Sequence, residues 1–465
     1  MMKRIIAFAL ATALSGCAMV GPDYRRPAVN LPGAYSESGA GQTAALKLPA
    51  DWWRLYKDPV LDELVDSGLK NNADVRIAVA RIEEAEGVLR EANALFFPEV
   101  DANASGNRAR ASQRTGTLPA SIAPIRNNFV LTASTSFELD FWGRLRRTAE
   151  AARAQYFATR YGHNVVALTL AAGITQTYFA ARSLDAQIIV SQETLQAAEE
   201  SLDIARKRFT AGLASELDVN QAAANRAQLA AQITDLRRQR ATAVHQLGVL
   251  SGVLDLSLKS GDVRALPTPP LPPADLPSAL LERRPDLRQA EAQLVSANAQ
   301  IGVAKAAQLP TFSLTGSFGR QSRELDTLFA SGAGIWSIGL SAVGPIFDAG
   351  RYAARTEQAE ARARQAAGTY EKTAQTAFRE VSDALSNVRF SADAEQDLSE
   401  RVDQARASLH LATMRYESGY SAYLEVLDAQ RTLNDAQLAL VRNRQSYLAY
   451  TVDLMNALGG GWAAY

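Results

Sequence analysis

Four stretches of the chain alternate small or apolar residues with polar ones at every second position. In residues 129–139, Phe129, Leu131, Ala133, Phe137 and Leu139 share one parity, and Val130, Thr132, Ser134, Ser136 and Glu138 the other. Residues 100–107 set Val100, Ala102, Ala104 and Gly106 against Asp101, Asn103, Ser105 and Asn107. Residues 311–320 set Phe312, Leu314, Gly316 and Phe318 against Thr311, Ser313, Thr315 and Ser317, and residues 335–344 set Trp336, Ile338, Leu340 and Ala342 against Ser337, Gly339 and Ser341. A period of two predicts strands with one oily and one polar face. Runs of about 9–11 residues match a strand that crosses a bilayer. Phe96, Phe97, Phe141, Trp142, Trp336 and Phe347 near their ends fit an interfacial aromatic girdle. A soluble sheet would need a second layer, and no other strand-rich segment supplies one. Four strands do not close a barrel, and open edges are not tolerated in hydrocarbon, so the pattern calls for several copies. Two copies give a barrel that side chains fill. Three give a lumen, which suits Asp101, Asn103, Thr132, Ser134, Ser313, Ser317 and Ser341 facing inward.

The remaining chain reads as helix, and it repeats. Residues 69–76 align with 281–288, and Pro98 with Pro310, at an offset of 212; Gly143-Arg144 aligns with Gly350-Arg351, and residues 209–222 with 416–429, at 207. Each half predicts a helix (residues 74–97 and 286–309) that a proline stops, two strands, and a proline-free run (144–211 and 351–418). Gly212 and Gly419 follow as C-cap signals, and a last helix closes each half (215–250 and 421–458). A 68-residue helix would span about 102 Å, longer than any ordinary globular core. From the helices alone, an extended soluble coiled coil is an equally good reading; the alternating segments break that tie.

The N-terminus changes the picture of location. Lys3 and Arg4 precede an apolar run at residues 5–14, and Leu14-Ser15-Gly16-Cys17 follows, a secretory leader ending in a pattern that resembles the bacterial lipoprotein box. That resemblance implies cleavage before Cys17, with diacylglycerol and N-acyl chains on it. Several acyl chains anchor firmly where one does so marginally. Ala18, rather than Asp, in the next position favours the outer membrane by analogy.

Charge and composition mostly exclude. With 49 Lys+Arg against 49 Asp+Glu, the chain carries no electrostatic footprint for nucleic acid. The single cysteine rules out a disulfide framework or thiolate metal site. His163, His245 and His410 lack metal-ligand spacing, and no Gly-x-x-x-x-Gly-Lys-Ser/Thr loop is present, so no cofactor, no metal and no catalytic residue is expected.

Taken together, the lipobox at Cys17, Trp52-Trp53-Arg54-Leu55-Tyr56-Lys57-Asp58-Pro59, Glu138-Leu139-Asp140-Phe141-Trp142-Gly143-Arg144, Glu282-Arg283-Arg284-Pro285-Asp286-Leu287, Gly344-Pro345-Ile346-Phe347-Asp348-Ala349-Gly350-Arg351 and Leu424-Glu425-Val426-Leu427-Asp428-Ala429-Gln430-Arg431 resemble the TolC-like outer-membrane factors, lipoprotein branch (OprM/NodT type). The resemblance implies a mainly α fold with a transmembrane β-barrel. Four strands and long antiparallel helices per protomer would form a homotrimer with a 12-stranded barrel above a periplasmic helical tunnel. It implies a passive efflux duct, not an enzyme, that docks with a periplasmic adaptor and an inner-membrane transporter of the resistance-nodulation-division type. A duct for type I protein secretion is the alternative. Ala211-Gly212-Leu213-Ala214 matches the family's tip motif for adaptor contact; Ser418-Gly419-Tyr420-Ser421 departs from it at Tyr420. Leu424, Glu425 and Asp428 match the rings of the periplasmic gate. Ser421 stands where some members carry a pinning Arg, which leaves that salt bridge open.

The expected organisation is a leader (1–16), a lipid-anchored extended tether (17–58), short helices (59–97), a first barrel hairpin (98–142), tunnel helices (143–250) and a proline-rich equatorial connector (251–285). A short helix (286–309), a second hairpin (310–347), tunnel helices (348–458) and a tail (459–465) follow.

Overall fold

The computed structural model describes residues 19–35, 48–112, 114, 123–271 and 280–461. The leader and the acylation site Cys17 lie outside the described residues. The chain divides into two compact units: residues 1–27, 82–159 and 290–370, and residues 28–81, 160–289 and 371–465. The elements repeat as the sequence does. Helices α1 (Pro59–Asn71) and α2 (Ala73–Ala94) precede strands β1 (Glu99–Arg110) and β2 (Ile125–Leu139), then α3 (Arg144–Thr210) and α4 (Glu216–Ser251). After the connector come α5 (Pro285–Ala306), β3 (Thr311–Ser322), β4 (Gly334–Val343), α6 (Arg351–Glu417) and α7 (Tyr423–Ala457). The two longest helices run 67 residues each. Among the described residues no helix is long and apolar enough to cross a membrane.

The first unit holds the sheet, in the order β1-β2-β3-β4 with every pair antiparallel. The register keeps the parities in phase. Asp101 pairs with Ser134, Ser134 with Ser317, and Ser317 with Ser337; Ala102 pairs with Ala133, Ala133 with Phe318, and Phe318 with Trp336. Directly paired residues share a face, so the alternation of each strand becomes one polar and one apolar sheet surface. Phe318, Trp336, Ile338 and Leu340 on the apolar surface are exposed.

The turns into the long helices explain two sequence motifs. Asp140 accepts from Leu145 N and Arg146 N at 2.9 and 3.0 Å, and Asp348 accepts from Gly350 N and Tyr352 N at 3.0 and 2.8 Å. Each carboxylate thus satisfies orphan donors at a helix start. The Tyr352 N–H holds the Asp348 carboxyl below its ordinary range. Gly143 and Gly350 have φ of 77° and 82°, the left-handed region that favours glycine.

In the first unit, residues 19–27 run without helix or strand along α3 and α5. Val20 N donates to Trp142 O at 3.0 Å, and Arg147, buried, donates to Asp23 at 2.8 Å. The far end of the expected tether differs. Trp52–Tyr56 forms a 3-10 turn in the second unit, with Trp52 and Tyr56 fully buried, because three aromatics in five residues cover α3 and α7 rather than face water.

The other boundaries differ for local reasons. Helices α2 and α5 stop at Ala94 and Ala306, three residues early, because the residue before proline is forced out of the α region and the last turn tightens. Strands β1 and β2 run beyond the alternating window, to Arg110 and from Ile125, because Arg108, Arg110 and Arg126 pair as backbone without being apolar. The connector holds a 3-10 turn at Val263–Ala265 and one helical turn at Leu280–Arg283, and no strand among its described residues. Leu258, Val263 and Leu266 are buried in the core of the second unit.

Candidate functional site

Two helical turns of the second unit carry the expected site residues. Helix α3 ends at Thr210, Gly212 takes φ 72°, and Leu213 N reaches back to Arg208 O at 2.8 Å. Helix α6 ends at Glu417, Gly419 takes φ 80°, and Tyr420 N reaches Arg415 O at 2.9 Å. Both are glycine-terminated ends that use up carbonyls of the last turn. Ala211, Gly212 and Leu213 in the first turn, and Ser418, Gly419 and Tyr420 in the second, are exposed; Ala214 and Ser421 are half-buried. Leu213 at 69 % and Tyr420 at 81 % exposure stand out, since side chains of that size usually find cover.

The two turns then part. Ser215 caps α4 in a reciprocal box: Asp218 N donates to Ser215 Oγ at 3.3 Å, and Ser215 N to Asp218 Oδ2 at 3.2 Å. At the matching place Ala422 caps α7 with no side-chain bond, so the helix begins at Tyr423, later than Ser421. The Ser421 hydroxyl is buried with no partner among the described residues.

Leu424, Glu425 and Asp428 lie together on the exposed side of the first turns of α7. Tyr423, Val426, Leu427 and Ala429 face the opposite way, into a cluster with Leu202, Ala205, Ala222 and Tyr416. Burial pushes the Tyr423 hydroxyl up to about 12 and raises that of Tyr416. Glu425 pairs across its own turn with Arg415 at 3.5 Å, both groups more than half exposed.

Sequence reasoning missed two arginines. Arg208 donates to the last carbonyls of α6, Tyr416 O and Glu417 O, at 3.0 Å each, and its guanidinium lies 4.8 Å from the Tyr416 ring centroid. A cation there complements the negative helix end. Arg208 and Arg415 are themselves repeat equivalents, lying just before the window that begins at Phe209 and Tyr416, so a window one residue longer finds them. A buried polar chain also ties α3, α4 and α7 below the turns: Asn225 donates to Gln430 at 3.4 Å, and Gln430 to Ser201 at 2.8 Å.

An amphipathic four-stranded sheet and paired long helices ending in exposed turns define a class: outer-membrane channels with helical extensions. Residues 64–253 and 276–460 match the family described as outer membrane efflux protein, and the chain belongs to it. The chain is 37 % identical over 473 residues to the solvent efflux pump outer membrane protein SrpC of Pseudomonas putida, covering 99 % of this chain and 98 % of that one. It is 32 % identical to the probable outer membrane lipoprotein SilC of Salmonella typhimurium, over 99 % of each. The solved outer-membrane channel OprN superposes with a TM-score of 0.89 at 29 % identity, covering 96 % of this chain and 100 % of that one. The protein is an efflux component of the outer membrane.

Proposed function

We propose that three copies of this chain join their sheets edge to edge into a twelve-stranded barrel with a water-filled lumen. This duct passes toxic small molecules delivered by an inner-membrane transporter of the resistance-nodulation-division type through a periplasmic adaptor. The observation that carries the reading is the in-phase register. All four strands present one polar and one apolar surface, while among the described residues β1 and β4 each pair on one side only. Bare edges in hydrocarbon leave backbone groups unsatisfied at several kcal/mol each, so copies must complete them. Relatives named for solvent and toluene efflux support a small apolar cargo over a protein one. SilC, named a lipoprotein, supports acylation of Cys17.

The exposed turns around Gly212 and Gly419 serve as adaptor contacts, and Leu424, Glu425 and Asp428 as the gate. Three copies of Asp428 about one axis crowd like charges and recruit cations, while Leu424 narrows and dewets the passage. Glu425, held by Arg415, contributes less charge to the opening than Asp428. The adaptor opens the gate by binding the open form better. In planar bilayers, Leu424→Ala with Asp428→Ala raises single-channel conductance; unchanged conductance removes both residues from the gate.

A further inference from the structure

The apolar face of the sheet carries three charges, all positive and all towards the hairpin loops. Following the register, this face takes Val100, Ala102, Ala104, Gly106, then Arg108 and Arg110 along β1. On β3 it takes Phe312, Leu314, Gly316, Phe318, then Arg320. No Asp or Glu shares it; Glu99, Asp101 and Glu138 all lie on the polar face. Arg108 and Arg110 are exposed, and no hydrogen bond or ion pair engages the side chain of either among the described residues. Arg320 is pinned by one amino group, which donates to Phe329 O and Ala330 O at 2.9 and 3.3 Å, leaving its other N–H groups free to meet a ligand.

Further from the loops than Arg320, the same face opens into an apolar hollow lined by Val100, Ala133, Gly316, Phe318, Trp336 and Ile338. Phe318 sits two residues from Arg320 on the same side of β3, about 7 Å along the strand. Gly316, with no side chain, leaves the floor low between Phe318 and Ile338. By the register Arg320 lies one row, and Arg108 and Arg110 three and four rows, towards the loops from Phe318, so the hollow and the guanidinium groups together have the layout of an amphiphile: acyl chain below, anionic headgroup above. Guanidinium matches phosphate oxygens in a two-pronged geometry.

We propose that Arg108, Arg110 and Arg320 bind the phosphate groups of an acylated, phosphorylated lipid of the outer leaflet, with one of its chains in the hollow beneath Phe318 and Trp336. The proposal rests on the outer-membrane duct reading, which puts this face against lipid and the hairpin loops outside.

The test titrates the full chain in detergent with bis-phosphorylated lipid A, with the same lipid after enzymatic phosphate removal, and with inorganic phosphate. Bound lipid is counted by native mass spectrometry. The phosphorylated lipid is expected to bind about tenfold tighter than the dephosphorylated one, and added salt to shrink the difference. The variant Arg108→Gln/Arg110→Gln/Arg320→Gln loses that preference. Should loss of the Arg320 bonds prevent folding, Arg108→Gln/Arg110→Gln, which breaks no bond among the described residues, is expected to lose about half of it on a logarithmic scale. Equal binding of the two lipids, or an undiminished preference in the variants, overturns the proposal. Displacement of the lipid by equimolar inorganic phosphate overturns it as well, by assigning a free-anion site. Conductance of the wild-type protein in planar bilayers is recorded alongside: its absence strikes the duct reading, whereas conductance without lipid preference strikes the proposal alone.

Discussion

Arg208 stabilises a helix end that is not its own. Its two hydrogen bonds to α6 carbonyls involve a charged donor, the kind worth about 1.5–3 kcal/mol when its partners are shielded. Arg208→Ala is expected to speed amide hydrogen exchange at the turn around Gly419 several-fold, while exchange near Gly212 changes little. Comparable exchange at both turns in the variant would argue against the cap. Asp453 gives a pH-dependent counterpart. Burial raises its carboxyl above the ordinary value, opposed by Gln176, which donates to it at 2.6 Å. An acid with a folded pKa above its unfolded one costs stability at pH above the folded value, and that cost fades as pH falls through it. Asp453→Asn is therefore expected to melt higher than the wild type at alkaline pH, with the gap closing as pH falls toward the ordinary carboxylate range. A gap independent of pH would trace the effect to something other than ionisation.

At the scale of elements, duplication gives a controlled comparison. Ser215 and Ala422 are repeat equivalents, as are Asp218 and Glu425, yet only the first pair forms a capping box. Ser215→Ala is expected to cost about 1 kcal/mol. Ala422→Ser is expected to add up to about 1 kcal/mol, because Glu425 stands ready to complete the box, at the expense of its pairing with Arg415. Chemical denaturation of the two variants reads both signs; a loss of stability in Ala422→Ser would refute the second. Much of this level was legible beforehand. The period of two located all four strands, and Pro98, Pro310, Gly212 and Gly419 located helix ends to within a few residues. What stayed hidden was set by tertiary contacts: the burial of Trp52, Trp53 and Tyr56. The site showed the same division. Leu424, Glu425 and Asp428 came from the family resemblance, with helical spacing alone giving no more than an exposed face, and the reach of Arg208 to a helix 208 residues away in sequence has no local signal.

For the whole molecule, the sheet is the constraint. The edges of β1 and β4 must be covered in lipid, and the polar face must meet water. Light scattering of the detergent-solubilised protein is expected to give the mass of three chains after subtraction of bound detergent. A folded monomer would dismantle the barrel, whereas a dimer would close eight strands around Asp101, Asn103 and Ser317 with no room for water. The charge layout of the sheet adds an orientation: Glu99, Asp101 and Glu138 lie on the polar face, whereas Arg108, Arg110 and Arg320 lie on the apolar face at the loop end, where the proposed barrel would meet anionic lipid.

The unequal capping of the two turns has a consequence for stoichiometry. In the proposed trimer, the two like hairpins of each chain would offer six docking positions to anything that approaches end-on. They come in two alternating kinds: one braced by a serine–aspartate box, the other by an arginine–glutamate pair and a borrowed guanidinium. A hexameric visitor would meet a surface of apparent sixfold symmetry and true threefold symmetry, and its subunits would have to settle as three pairs.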